Sequence, residues 1–251
     1  VQDLRSYAGK ANHVATLVYT WRPFLDQIWA AVAGSRPSNA PAHKVWVKQV
    51  SSSLSWLRSF LRCECGTLER RWRFDYYSED GKKVTVILDA SPFGLGGILL
   101  EDGVIVAWFS DALTAADERI HQHKIGEDTG QQTWEALVVL VATKLWTPRW
   151  RGHRTSITLQ SDNMAALALA AKMKGRTSAT ISRELALAMS TSSFQPRFIE
   201  HIPGVMNAAA DALSRLMDPA GGFEVPAVLR GVHRDRVPFR DEQYYVTLRP
   251  L

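Results

Sequence analysis

The chain has 251 residues, enough for one large or two small domains, and 46% of them are hydrophobic, nine being Trp, which excludes global disorder. No apolar run approaches the ~20 residues that span a bilayer and the start lacks a signal-peptide pattern, so an intracellular setting with no membrane partner is expected. The formal charge of +5 is uneven: residues 1–75 carry 11 Lys/Arg against 5 Asp/Glu, residues 84–216 carry 12 against 13, a split that suits a polyanion gripped by one part and processed by the other, or one that only keeps the arm soluble.

Residues 1–33 read as helices. Leu4, Tyr7, Ala8, Ala11, Val14, Ala15 and Val18 recur at helical spacing, and after Trp21-Arg-Pro23 a second stripe follows in Phe24, Leu25, Ile28, Trp29 and Val32. Pro and Ser make 34–41 a loop, and Val50, Leu54, Leu57 and Leu61 mark a third helix. This small helical subdomain, 1–75, holds no carboxylate pair and no His/Cys cluster, so a packing or substrate-guiding role is expected. Cys63 and Cys65 are too close for an ordinary disulfide framework and lack a second ligand cluster for zinc. Val1 falls in mid-pattern for a helix, which reads as a piece of a longer polypeptide.

The pattern changes at Val84. Val84–Ala90, Gly97–Leu100 and Val104–Phe109 are β-rich runs, with Gly94-Leu-Gly-Gly97 and Glu101-Asp-Gly103 expected as hairpin turns between them. Residues 111–130 are polar and irregular, and His121 and His123 within them are expected at the surface. Trp134, Leu137, Val138, Val141 and Leu145 then share one helix face. Arg154–Gln160 is a strand, 163–173 and 178–190 are Ala-rich helices, Phe194–His201 is a fifth strand, and Pro203-Gly204 turns the chain into a last helix over 206–216. The layout is α/β: a five-stranded mixed sheet flanked by helices, behind the helical subdomain. Residues 217–251 have Pro and Gly without a clear period and read as a linker or extended tail.

Four acids stand where a carboxylate needs a reason. Asp89 and Asp162 each end an apolar strand run, Glu135 opens a core-like helix, and Asp211 sits in the last helix. Burying a carboxylate is costly unless it is paired or metal-bound. Parallel strands ending at Asp89 and Asp162 would place both at one carboxyl-end edge, where open α/β sheets bind ligands. Glu135 and Asp211 could lean over that edge from their helices. Oxygen-only donors favour Mg²⁺ or Mn²⁺, and two such ions suit phosphodiester hydrolysis without a covalent nucleophile.

Leu88-Asp-Ala-Ser91 before a glycine-rich segment, Glu135 in a helix, Ser161-Asp-Asn163, and His201-Ile-Pro-Gly-Val-Met-Asn-Ala-Ala-Ala-Asp-Ala-Leu-Ser-Arg215 occur in that order. In this, residues 84–216 resemble ribonuclease H, most closely the ribonuclease H domain of LTR-type retrotransposon reverse transcriptases. The helices of 1–75, with Leu4-Arg-Ser-Tyr-Ala-Gly-Lys10 and Arg22-Pro-Phe24, look like the thumb and connection region that precedes it. The resemblance implies cleavage of the RNA strand of an RNA–DNA hybrid by two divalent ions, with no small-molecule cofactor. It also implies a polymerase portion in the same polyprotein and a cytoplasmic or nuclear retroelement particle as the setting. Asp89, Glu135, Asp162 and Asp211 match the family's metal-binding acids. His201, ten residues before Asp211, matches a mobile-loop histidine that moves protons, and Asn207 an asparagine that shapes that loop. The chain has no Tyr-x-Asp-Asp, so polymerisation is not expected of it.

Ser91 and Asn163 flank metal acids and, with Asn207, are candidates for nucleic-acid contact, though turn formation explains the first two equally well. Arg149, Arg151 and Arg154, beside Trp146 and Trp150, form a basic-aromatic stretch able to grip a DNA strand, as do Lys172, Lys174 and Arg176. The rival expectation is a catalytically inactive domain of the same fold that binds nucleic acid or acts as a spacer. A related exonuclease or integrase-like nuclease is a third.

Overall fold

Apolar residues three and four apart give the three expected amphipathic helices, α1 (Gln2–Leu17), α2 (Arg22–Val32, with Pro23 in its first turn) and α3 (Val47–Leu61). The computed structural model describes residues 1–34, 40–65, 82–150, 155–173, 178–191, 196–204 and 207–249. Phe24, Trp56 and Phe60 close the helical subdomain, with ring centroids 5.3–6.3 Å apart. It is no free arm. Its buried side chains run without a break into the core of the following domain, and Arg22 donates to the Lys172 carbonyl at 2.8 Å.

Alternation of Val84, Val86 and Leu88 with Thr85 and Ile87 makes β1 (Lys82–Ala90) the central strand of a five-stranded sheet. β1 pairs antiparallel with β2 (Gly94–Glu101), and β2 with β3 (Val104–Ala112). The β2–β3 turn is two residues, Asp102 (φ 50°) and Gly103 (φ 81°), both left-handed as a tight hairpin of this twist requires. After β3 come α4 (Ala115–His121) and α5 (Gln131–Trp146). They supply the crossover to β4 (Thr155–Ser161), which pairs parallel with β1. Two more helices, α6 (Met164–Lys172) and α7 (Ala179–Thr191), lead to β5 (Pro196–His201), parallel to β4. A short helix, α8 (Ala208–Ser214), follows. The order β3-β2-β1-β4-β5 is a ribonuclease H-like mixed sheet flanked by helices. Among the described residues, no helix is long and apolar enough to cross a membrane.

The sheet has a thick side and a thin side. On the thick side α5 packs on β1 and β2, and α6 and α7 pack on α5, so α5 is buried nearly all round rather than along one stripe. On the thin side α8 lies on β1, β2 and β3, with Ala210 and Leu213 meeting Ile98 and Trp108.

Four expectations change. Gly94–Gly97 is not a turn: it opens β2, and its glycines make room. A Cβ on Gly96 would stand 2.6 Å from the Ala210 carbonyl oxygen and 2.7 Å from the Ser214 nitrogen, so α8 can seat only on a bare backbone. The 111–130 stretch is ordered by α4, whose Thr114–Asp117 capping box fixes its start. His121 is buried there rather than exposed, its Nε2 2.9 Å from the Tyr245 hydroxyl. Finally, the tail after Met217 lacks long helices or strands but is no linker. Arg240, 1% exposed, donates to both oxygens of fully buried Asp117 and to Asp111, and Tyr245 is wholly buried. Lys144 bridges Glu184 to the Tyr244 carbonyl, and the Thr247 amide donates to Glu184. These contacts bind the tail to α4, α5 and α7.

Candidate metal centre

Asp89 is the next-to-last residue of β1, and Asp162 directly follows β4. The parallel register sets Ile87 opposite Gln160, so both strands deliver their aspartates to the same edge. Glu135 comes from the second turn of α5. Gln131, four residues earlier, ties that turn to the strand end, its Nε2 donating to the Ala90 carbonyl (2.6 Å) and to Glu135 Oε1 (3.0 Å). One carboxylate oxygen from each of Asp89, Glu135 and Asp162 lies within 4.8 Å of the others.

Water is largely excluded. Asp89 is 5% and Glu135 4% exposed, and Asp162 is half-buried. Burial pushes the Asp89 carboxyl up to about 7; a Ser214 hydrogen bond opposes this, the charges of Asp162 and Asp211 add to it, and Arg215 opposes it. Burial, then the charges of Asp89 and Asp162, hold Glu135 well above the usual carboxylate range, against hydrogen bonds from Gln131 and the Ala90 backbone. Glu135 Oε2 is buried with no hydrogen-bond partner among the described residues. A desolvated oxygen without a donor, among carboxylates that raise one another's pKa, is the environment a hard divalent cation relieves. The donor set therefore fits Mg²⁺ or Mn²⁺.

The other candidates fall into place around these three. Asp211, on α8, adds its charge to Asp89 but stands beside the trio, with Oδ1 held by Arg215 Nε at 2.6 Å. His201 ends β5 opposite Ser161 and is exposed. The loop it opens runs against the site: a Cβ on Gly204 would come 3.3 Å from Asp162 Oδ2.

Comparison of the chain with protein-family models, with characterised proteins and with solved structures finds no match. The site is therefore read from its own geometry.

That geometry corrects two of the candidates for nucleic-acid contact, Ser91 and Asn207. Ser91 is 2% exposed, and its hydroxyl accepts from the Phe93 and Gly94 amides while donating to the Ser214 carbonyl at 2.7 Å, so it builds the β1–β2 turn. Asn207, 1% exposed, donates from Nδ2 to Asp89 Oδ1 (2.9 Å) and to the Leu88 carbonyl (3.2 Å) and faces inward. Arg149 donates to both oxygens of Asp235 in the tail, at 2.8 and 3.0 Å, while staying exposed, so it remains a candidate. Asn163 caps α6, its Oδ1 accepting from the Ala165 and Ala166 amides, while the residue stays partly exposed beside Asp162. Arg151, Arg154, Lys174 and Arg176 lie outside the described residues.

Sequence reasoning missed two residues, Gln131 and Ser214. Ser214 is fully buried and donates to Asp89 Oδ2 at 2.6 Å. Both were findable. Gln131 is one helical turn before Glu135, and Asn207, Asp211 and Ser214 are spaced four and three apart, on one helix face.

Proposed function

We propose that this chain is the metal-dependent ribonuclease H portion of a retroelement reverse transcriptase polyprotein, hydrolysing the RNA strand of RNA–DNA hybrids inside the cell. The observation that carries this reading is the convergence of Asp89, Glu135 and Asp162 from β1, α5 and β4, two of them buried with no cationic side chain bonded to them among the described residues. In this reading the three acids hold Mg²⁺ or Mn²⁺, and Asp211 is the fourth ligand of a two-ion site. The ions, when bound, activate a water and stabilise the leaving oxygen of the phosphodiester. The chain's own groups do the rest. The sheet edge fixes the two aspartates, Gln131 orients Glu135, and the exposed His201 exchanges protons with solvent as product leaves. The basic helical subdomain fits a guide for the hybrid, and the polymerase portion is the intramolecular partner.

The test is a labelled RNA–DNA hybrid with Mg²⁺. Wild type is expected to cut its RNA strand, and Asp89→Asn and Asp162→Asn to lose about a thousandfold or more, since metal assistance supplies several kcal/mol at the transition state. Equal rates in all three proteins would end the reading. An inert wild type that binds no Mg²⁺ or Mn²⁺ by calorimetry would favour the spacer domain instead.

A further inference from the structure

Helix α8 presents two different faces. Ala210 and Leu213 press onto the bare backbone of β2, while Asn207, Asp211 and Ser214 line the face toward the acids. From that second face, Asn207 Nδ2 reaches Asp89 Oδ1 at 2.9 Å and Ser214 Oγ reaches Asp89 Oδ2 at 2.6 Å, so each oxygen of the carboxylate has its own donor on the same helix. Both donors are almost fully buried, at 1% and 0% exposure. The helix itself is pinned at its carboxyl end by two hydroxyls from the sheet. Ser91 donates to the Ser214 carbonyl and Ser110 to the Leu213 carbonyl, each at 2.7 Å.

A carboxylate held at both oxygens cannot rotate about its last bond. Its remaining lone pairs then point in one fixed direction. Resting on the metal-centre reading above, we infer that Asn207 and Ser214 are positioning residues that set the orientation in which Asp89 meets the divalent ion. Neither touches substrate or ion in this account. Outer partners of this kind typically change metal affinity by about 10- to 100-fold when removed.

Mn²⁺ titrated into the full chain by calorimetry, without nucleic acid, tests the inference. Ser214→Ala and Asn207→Ala are expected to weaken Mn²⁺ binding by about tenfold or more. Ser110→Ala, which loosens the same helix end without touching Asp89, is expected to stay within about twofold of wild type. Melting in chelator establishes that each variant is folded, and Ser214→Cys, similar in volume but a weak donor, replaces Ser214→Ala if that variant is not. Wild-type affinity in the Ser214 variant, or an equal loss in Ser110→Ala, overturns the inference while leaving the metal centre standing. Absence of Mn²⁺ binding by wild type removes the metal centre, and the inference with it.

Discussion

Two groups of buried acids in this molecule are treated in opposite ways. Asp117 and Glu184 are fully buried, and each has a cation bonded to it: Arg240 grips both oxygens of Asp117, and Lys144 reaches Glu184. Asp89 and Glu135 are nearly as buried, yet among the described residues their side-chain hydrogen bonds come from Asn207, Ser214 and Gln131, which carry no charge. The difference separates structure from function. A chain that needs charges only to fasten a tail supplies both signs itself; in the function proposed above, the like charges left facing each other are the place of a counterion from outside.

The contrast breaks first at the tail. Arg240→Ala leaves Asp117 buried without its cation and is expected to destabilise the fold by about 3–5 kcal/mol, read from denaturant unfolding. A change below about 1 kcal/mol would mean that the tail contacts are dispensable.

The pH dependence of stability sharpens it next. Asp89 titrates near 3.8 when unfolded and about 7 when folded, so in chelator its burial penalty is absent below pH 4 and grows as pH rises to 7, to about 4 kcal/mol at most. Glu135 acts in the same direction. His121 does the reverse. Burial lowers its pKa from 6.5 to about 4, so the unfolded chain takes up the proton first and stability falls as pH drops from 6.5 towards 4. Asp89→Asn should therefore raise stability in chelator at pH 7 and leave a curve that climbs more steeply between pH 4 and 6.5. Adding Mn²⁺ should offset the wild-type loss at pH 7 and do little at pH 5, where protons compete for the ligands. Denaturant unfolding with and without metal checks both, and identical curves for the two proteins in chelator would refute the raised Asp89 pKa.

The smallest expected effect is at Ser91. Ser91→Ala removes the hydroxyl shared by the β1–β2 turn and the end of α8, and should cost about 1–3 kcal/mol of stability. Mn²⁺ affinity should fall only slightly, because Asp89 keeps both donors. Stability equal to wild type would show that the turn does not depend on the hydroxyl.

The parts of the fold that were legible in the sequence are those whose cause is local. Period-two runs ending at Asp89 and Asp162 gave two strand ends and, through the length of the intervening chain, their parallel pairing. The apolar stripes of α1 to α3 were equally plain. Features with a distant cause were misread. The glycines at 94–97 look like turn residues, but Gly94 and Gly96 are bare because a helix more than 110 residues later lies against them, and Gly97 because the Phe109 ring does. The pairing of Arg149 with Asp235 was not legible either, because the two residues are 86 apart. The tail has no periodicity because single side chains, Arg240 and Tyr245, fasten it, and a period needs a repeated face.

The tail also runs beside β3, the outermost strand on its side of the sheet. There the Trp108 amide donates to the His233 carbonyl, and the Asp235 amide to the Trp108 carbonyl. A border strand with open amides invites the same strand of a neighbouring molecule. Shortening the polypeptide to end at Leu216 would uncover that rim at Trp108 and strip the buried aspartate of its cation together. Chain boundaries drawn around the five-stranded sheet and its helices alone would thus leave the amides of that rim open to pairing with another chain.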